Sequence, residues 1–425
     1  MYFQNVDSKE WLTDKNLTDS GVFVRQQYQR FYDYLDSQNM PSFMTARAKY
    51  FLQCHHYWTL PDGYALPPHT VNICVNNTCN LRCRYCDFGQ RHDETFYHQY
   101  NVVDRSKNIE LPIELCKSII DQVKWSRPII RASFREPLMY KDILPLIEYT
   151  KKNGLPFWLL TNGLNLAKLA KELVALEVDS IRISLDGPEK VHDEIRGVKN
   201  GYRRMMDGVK RLIEERKKKS CDMLIGFYFT LNDNNYDVIL ETVEQLDKEG
   251  ILEEVFMNFQ WLLYTTKKMA KEHNETHAEA CGGYIQESTI HAVDIEKMNI
   301  KVMSEQVKVI TENYPAEKGY RIHFRPSFEY EDLIKYKETE DFPVENPRCK
   351  VLWYNMNINP EGDVKSFHHC LLPAVGNINE QSIMDIWNGT DFRKQRMLLQ
   401  EHGAYRGCSR CWGVYSLLED RKRKD

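Results

Sequence analysis

With 425 residues, 42% of them hydrophobic and 28% charged, the chain has room for two to three domains or one large barrel with an appendage; a small disulfide scaffold and a wholly disordered chain are excluded. Its 57 Lys and Arg against 61 Asp and Glu leave a net charge of -4, so no global positive field exists to hold nucleic acid or an anionic membrane. The opening MYFQNVDSKEWL lacks the basic and apolar regions of an export signal, and no stretch reaches the roughly 18 apolar residues of a membrane span; the expected setting is cytoplasmic, without membrane or nucleic-acid partners.

Residues 1–68 read as a helical N-terminal extension that ends at the turn-forming LPDGYALPP. Over 69–261 short β-rich runs alternate with amphipathic helical runs, the strands being TVNICVN, PIIRASF, PFWLLT, SIRISL, MLIGFYFTL and EVFMNFQW. Parallel neighbours need helical crossovers, so these units predict an α/β fold, a partial (β/α)6 barrel whose chemistry collects in loops at the carboxyl ends of strands. Residues 262–345 form a connecting region, polar and loop-like from Lys267 to His291, with a helix at DIEKMNIKVMSEQVKVITENY. Residues 346–425 form a small C-terminal domain in which VLWYNMNINPEGDVKSF has two β runs around a Pro-Glu-Gly-Asp turn, and RKRKD is a solvated tail.

The chain has 12 cysteines. In a reducing compartment, clustered thiols are metal ligands or redox groups before they are disulfides. Cys79, Cys83 and Cys86 lie in the loop after the first strand, Cys349, Cys370, Cys408 and Cys411 in the last quarter, and Cys54, Cys74, Cys116, Cys221 and Cys281 are scattered.

The loop CNLRCRYC can fold three thiolates around one inorganic core, and soft thiolates suit an iron–sulfur cluster or zinc. Zinc completed by His92 or His98 is the competing reading, although zinc sites usually pair their ligands as two short-range couples. With three protein thiolates, a 4Fe–4S cluster keeps one iron open for an outside ligand. This loop, with Tyr85 just before its third cysteine, resembles the signature of the radical S-adenosylmethionine (SAM) enzymes, and the resemblance covers about residues 69–261. It implies that the amino and carboxylate groups of SAM chelate the open iron, with Tyr85 close to the adenine.

Further motifs of that family follow at strand ends. SFREP resembles the Gly-Gly-Glu-Pro segment that contacts the SAM amino group; Glu136 and Pro137 match, while Phe134 and Arg135 replace the two glycines. LLTNG with Thr161 and Asn162, ISLDG with Ser184 and Asp186, and HDEIRG with Arg196 resemble the ribose and carboxylate contacts. The resemblance implies Ser184 for the ribose and Arg196 for the SAM carboxylate, which an Arg can match bidentately. Thr230 and Asn232 in FTLND are weaker cofactor-binding candidates.

Cys349, Cys370, Cys408 and Cys411 satisfy a closed four-cysteine site, and their spacing leaves iron–sulfur and zinc equally open. The surrounding segments CKVLWYNMNINPEGDVKSFHHC, GNINEQSIMDIWNG and CSRC resemble the auxiliary-cluster domains called SPASM and its shortened form, twitch. With four cysteines after Cys281, the resemblance implies one fully ligated auxiliary 4Fe–4S cluster, for electron transfer or structural support. His368 and His369 are alternative ligands, more simply read as loop histidines.

Together the resemblances imply an enzyme that cleaves SAM to a 5'-deoxyadenosyl radical and abstracts hydrogen from a substrate, with a reducing partner such as flavodoxin or ferredoxin. The substrate radical is then oxidised, epimerised, eliminated or bonded elsewhere. Cys281 in EACGGY is the candidate catalytic thiol, in a loop where Gly282 and Gly283 suit a lid; a bystander cysteine is the plainer reading. A helical N-terminal region favours a small polar substrate such as a sugar or aminocyclitol derivative. A peptide-modifying enzyme is the alternative, and a zinc-stabilised, non-enzymatic binding protein is the reading from another class.

Overall fold

The structure, a computed structural model, describes residues 61–86, 108–281, 293–327, 329–367 and 372–415, with isolated positions within 25–37, within 284–287 and at 370. Almost all of the expected N-terminal extension lies outside the described residues, as do Cys54, His92, His98, Gly282, Gly283, His368, His369 and the RKRKD tail.

Ten strands follow in chain order: β1 (Thr70–Ile73), β2 (Ile129–Ala132), β3 (Phe157–Thr161), β4 (Ser180–Ser184), β5 (Leu224–Leu231), β6 (Phe256–Trp261), β7 (Arg321–Arg325), β8 (Asn355–Ile358), β9 (Asp363–Lys365) and β10 (Gly376–Asn377). They form one sheet in the order β10-β9-β8-β1-β2-β3-β4-β5-β6-β7. The run from β8 through β1 to β7 is parallel, while β9 and β10 are antiparallel. Amphipathic helices Ile113–Val123, Ile143–Lys152, Leu166–Ala175, Gly201–Lys219 and Ile239–Lys248 make the crossovers between β1 and β6. Alternation along each strand sends Val71, Ile73, Ile130, Ala132, Ile181, Ile183, Phe227, Phe229, Met257 and Phe259 into one core under these helices. Each of these side chains other than Ala132 contributes roughly 1.5–3 kcal/mol on burial. The intervening Asn72, Arg131, Arg182, Tyr228 and Asn258 therefore line the opposite, concave face, the lumen of an open barrel.

All six expected strands are present, and three departures have physical causes. β7 arises in the connecting region, where RIHFR places only Ile322 and Phe324 against the core, a pattern too short and too charged to read as a strand. β8 joins β1 in parallel, so the C-terminal segment continues the barrel sheet; Met356 and Ile358 enter the common core and Asn72 donates to Asn357 across the seam. The polar stretch after Lys267 is a helix, Lys267–Cys281, whose first turn is capped by Thr266 Oγ1 accepting from Met269 N at 3.1 Å. Its buried Met269, Ala270, His273, Ala278 and Cys281 recur at helical spacing beneath a charged exterior.

The C-terminal segment is also fastened to the chain's entry into β1. Arg396 lies buried 4.4 and 4.3 Å from the rings of Trp387 and Phe392 and donates to the carbonyls of Leu352 and Gly63. Trp387 Nε1 donates to the Leu66 carbonyl at 2.8 Å. Among the described residues, no helix is long and apolar enough to cross a membrane.

Helices Leu166–Ala175 and Gly201–Lys219 pack closely at Gly208, where a Cβ would stand 2.5 Å from Leu166 Cβ and 2.9 Å from the Ala167 backbone nitrogen. Helix propensity alone favours Gly208→Ala by about 1 kcal/mol. Overpacking against backbone reverses the sign, and the expected result is a loss of about 1–3 kcal/mol, read from the denaturation midpoint.

Candidate active site

The carboxyl end of β1 releases the first cysteine loop, which is fastened at once to the end of β2. Asn76 Nδ2 donates to the Glu136 carbonyl at 3.1 Å, and Glu136 N donates to the Thr78 carbonyl at 3.0 Å. Within the loop Arg82 Nη1 donates to the Cys79 carbonyl at 3.0 Å, and Cys86 N donates to that of Cys83 at 3.1 Å. Cys79, Cys83 and Cys86 gather around Leu81 and Leu164 in one small cluster. Burial raises the thiol of Cys79 and pushes that of Cys83 up to about 11.

Glu136 is fully buried, and its carboxylate bridges two strand ends. One oxygen accepts from Thr161 Oγ1 at 2.7 Å and Leu138 N at 3.0 Å; the other accepts from Asn162 N at 2.8 Å. Burial raises its pKa against these donors. Asn162 Nδ2 in turn donates to Asn80 Oδ1 at 2.7 Å, tying the end of β3 to the cysteine loop. Phe134 and Arg135, which replace the expected glycines, have φ of 82° and 55°. The backbone thus keeps a glycine-like path, at about 1–2 kcal/mol per residue.

At the end of β4, Asp186 Oδ2 meets Arg196 Nε at 2.5 Å, with Asp186 fully buried and Arg196 7% exposed. Tyr85 OH donates to Asp186 Oδ1 at 3.0 Å, and Arg196 donates to Tyr85 OH at 3.2 Å and to Cys83 Sγ at 3.4 Å. Burial works against the guanidinium charge, but Asp186, Tyr85 and Cys83 together outweigh it and hold Arg196 well above its ordinary pKa. Ser184 stands half-buried two residues earlier on the same lumen face. Thr230 closes the row on β5, its Oγ1 accepting from Gln260 Nε2 at 3.4 Å. Asn232 uses its side chain within its own turn, donating to the Thr230 carbonyl and accepting from Asn234 N.

Sequence reasoning missed three positioning groups. Asn80 anchors Asn162. Asn235 Nδ2 donates to the carbonyls of Asp186 and Thr230, joining the ends of β4 and β5. His192 Nδ1 accepts from Asp186 N at 3.3 Å; burial, then Arg196, pushes its pKa down to about 3, so it stays neutral. The Asn-rich turn after β5 and the histidine inside HDEIRG were the only signals.

A second thiol group forms on the C-terminal segment. Cys349, Cys370, Cys408 and Cys411 line one pocket with Tyr264, Phe367 and Arg410. Burial raises Cys349 and Cys408 strongly and Cys411 to about 12, and neighbouring thiols add to each shift. Cys281 is the last residue of a helix instead of a loop residue, 4% exposed, and its surroundings are Tyr405 and Cys370. The structure thus brings Cys281 to the second thiol group and not to the first. Among the described residues no group of three His, Cys, Asp or Glu is spaced to hold a single metal ion. An iron–sulfur cluster places each thiolate on a different iron.

An open parallel barrel thus carries a three-thiol loop after its first strand and is joined to a four-thiol pocket. Residues 73–246 match the model of the radical SAM superfamily, and residues 349–412 match the SPASM iron–sulfur cluster-binding domain. The chain belongs to the radical SAM superfamily and carries a C-terminal SPASM domain. Over 202 residues it is 30% identical to the Fe-coproporphyrin III synthase of Methanosarcina barkeri, a match to 45% of this chain that spans 46% of that protein's length. Over 357 residues it is 22% identical to the pre-heme d1 synthase of Dinoroseobacter shibae, covering 80% of this chain and 78% of that one. Its fold is similar to that of Streptococcus suis SuiB bound to SAM, with a TM-score of 0.52, 16% identity and coverage of 78% and 68% of the two chains.

These domains imply 4Fe–4S clusters and SAM. The donor sets fit: three clustered thiols leave one iron position open, four in one pocket leave none, and a buried carboxylate suits an ammonium.

Asp186→Ala leaves the Arg196 charge buried without its partner, for an expected loss of about 3–5 kcal/mol in chemical denaturation. The double variant Asp186→Ala with Arg196→Met regains part of that loss, and the thermodynamic cycle gives the coupling.

Proposed function

We propose that the chain is a radical SAM enzyme that takes hydrogen from a small polar substrate held in the barrel lumen. The observation that carries this reading is the convergence of the three-thiol loop, the Glu136 network and the Asp186–Arg196 pair at the ends of β1 to β4. When bound, the open cluster and SAM supply a 5'-deoxyadenosyl radical for hydrogen abstraction. Cys79, Cys83 and Cys86 would hold the open cluster, and Cys349, Cys370, Cys408 and Cys411 the auxiliary one. Glu136, kept in place by Thr161 and Asn162, accepts from the SAM ammonium. Ser184 would meet the ribose, Tyr85 the adenine, and Arg196 the SAM carboxylate, while Thr230 and Asn232 would shape the floor at β5.

A closed four-thiolate cluster accepts an electron without binding substrate, and Cys281 lies against Tyr405 and Cys370; both favour oxidation of the substrate radical over thiol-mediated epimerisation. The polar lumen residues Asn72, Arg131, Ser133, Arg182 and Asn258 sit among strands, where a small molecule fits better than a peptide backbone. The two curated relatives above are named for small-molecule products, which supports the same choice. A reducing partner such as flavodoxin or ferredoxin, in the cytoplasm, would supply the electron.

Replacing Cys79, Cys83 and Cys86 together with Ala abolishes anaerobic, dithionite-driven release of 5'-deoxyadenosine, while the variant keeps roughly four irons per chain, the content of one closed cluster. Undiminished release refutes the assignment, and zinc in the remaining site refutes the auxiliary cluster. Glu136→Gln assembles both clusters, as their absorbance shows, yet binds SAM about tenfold or more weakly, because a charge-assisted partner of the ammonium is lost.

A further inference from the structure

The alternation that turns Ile130 and Ile181 into the core points Arg131 of β2 and Arg182 of β4 into the lumen. Arg131 Nε donates to Asn72 Oδ1 at 3.1 Å. Arg182 lies 3.9 Å over the Trp158 ring and 5.4 Å from that of Tyr228, with one long bond of 3.5 Å to Ser180 Oγ. Among the described residues each guanidinium therefore uses one N–H, and most of its fork is left to the lumen. Neither takes part in an ion pair among the described residues. Asp186, further along the same face of β4, is already committed to Arg196.

The two cations also repel each other. Burial, followed by the Arg182 charge, pushes Arg131 down to about 10, and Arg325 of β7 adds a further positive charge facing Arg182. Two partly buried like charges without an ion-pair partner among the described residues are unfavourable in the folded chain. Such an arrangement is the signature of a site completed by a ligand of opposite charge.

Position agrees with this reading. The ladders align Arg131 with Trp158 and Arg182 with Leu160, so the two arginines flank β3 with Arg182 two residues further along, their backbones roughly 12 Å apart. Arg182 precedes Ser184 by two residues and so lies roughly 7 Å below the row assigned to SAM, with Arg131 two residues deeper by the ladder. Trp158 and Tyr228 supply flat apolar walls between and beside the charges.

We infer that Arg131 and Arg182 bind the carboxylate or phosphate groups of an anionic small-molecule substrate, against the ring faces of Trp158 and Tyr228. That the ligand is a substrate rests on the radical chemistry proposed for the adjacent row. Arg131 and Arg182 would then set its depth, so that the carbon to be attacked reaches the SAM layer.

The test is isothermal titration calorimetry on the anaerobic, cluster-loaded protein with SAM present. Its probes are tricarballylate for carboxylates, fructose 1,6-bisphosphate for phosphates and myo-inositol as the neutral control. Saturable binding of one or both anions and none of inositol is expected, and the anion preferred identifies the source. Arg131→Gln and Arg182→Gln each weaken that binding about tenfold or more, and the Lys variants, which keep the charge but lose the fork, fall between. Circular dichroism and melting show whether each variant is folded; if a Gln variant is not, the Lys variant at that position carries the comparison. A wild-type protein that binds SAM but neither anion overturns the anionic site alone, as does an unchanged affinity in the folded double variant. A wild-type protein that neither binds SAM nor releases 5'-deoxyadenosine overturns the radical reading beneath it.

Discussion

The buried Asp186–Arg196 pair is the constraint on which the first site depends. Removing two charges from water costs several kcal/mol per ion, and only close geometry with further hydrogen bonds offsets it. Here the further bonds reach outward: Arg196 to Tyr85 and Cys83, Tyr85 to Asp186, and the Asp186 backbone to His192 and Asn235. A charge pair delivered by β4 and the helix Glu189–Arg196 therefore orients a cysteine loop that left β1 about a hundred residues earlier. The loop itself has few apolar contacts, Leu81, Leu164 and Val198 among them, so polar geometry more than packing sets its path.

SFREP shows local preference yielding to tertiary bonding. Neither Phe134 nor Arg135 favours a positive φ, yet both adopt one. Glu136 explains why: its amide and carbonyl are bonded to the cysteine loop at Thr78 and Asn76, and its carboxylate oxygens to the end of β3 at Thr161 and Asn162, so the turn before it has one available course. Two residues that are not glycine thus adopt the positive φ that glycine takes freely, and their side chains project where glycine would leave space.

This contrast explains what the chain revealed before its fold was known. Strands β1 to β6 were legible because each buries alternate apolar residues under an amphipathic helix, and the seven organised cysteines because thiols at short spacing have few other uses. The core pattern is local, and so it survives in sequence. β7 and the pairing of β8 with β1 were not legible, since edge strands need little hydrophobic periodicity and the pairing is a contact across some 285 residues. The helix Lys267–Cys281 was hidden by its charged exterior, and with it the true neighbours of Cys281. Asn80, His192 and Asn235 act by orienting other groups, and nothing in residue type announces that.

The β8–β1 pairing also bears on how two centres can work together. Cys79 follows the end of β1 by six residues, and Cys349 precedes β8 by six. Because β1 and β8 are adjacent and hydrogen-bonded, both thiol groups hang from one rigid ladder, and Tyr264, just beyond β6, lines the second pocket from the barrel side. Arg410 clamps that wall by donating to Tyr264 OH at 3.0 Å and to the Asp341 carbonyl at 3.0 Å while lying 4.4 Å from the Tyr336 ring. Arg406 does the same for the helix that ends at Cys281, pairing with Glu272 and Asp341. Sheet hydrogen bonds and guanidinium clamps, that of Arg410 buried, deform little, so the separation of the two groups is a property of the fold and not of a flexible linker. Continuing the barrel sheet into the C-terminal segment thus fixes the two thiol groups relative to each other, which a tethered separate domain would not.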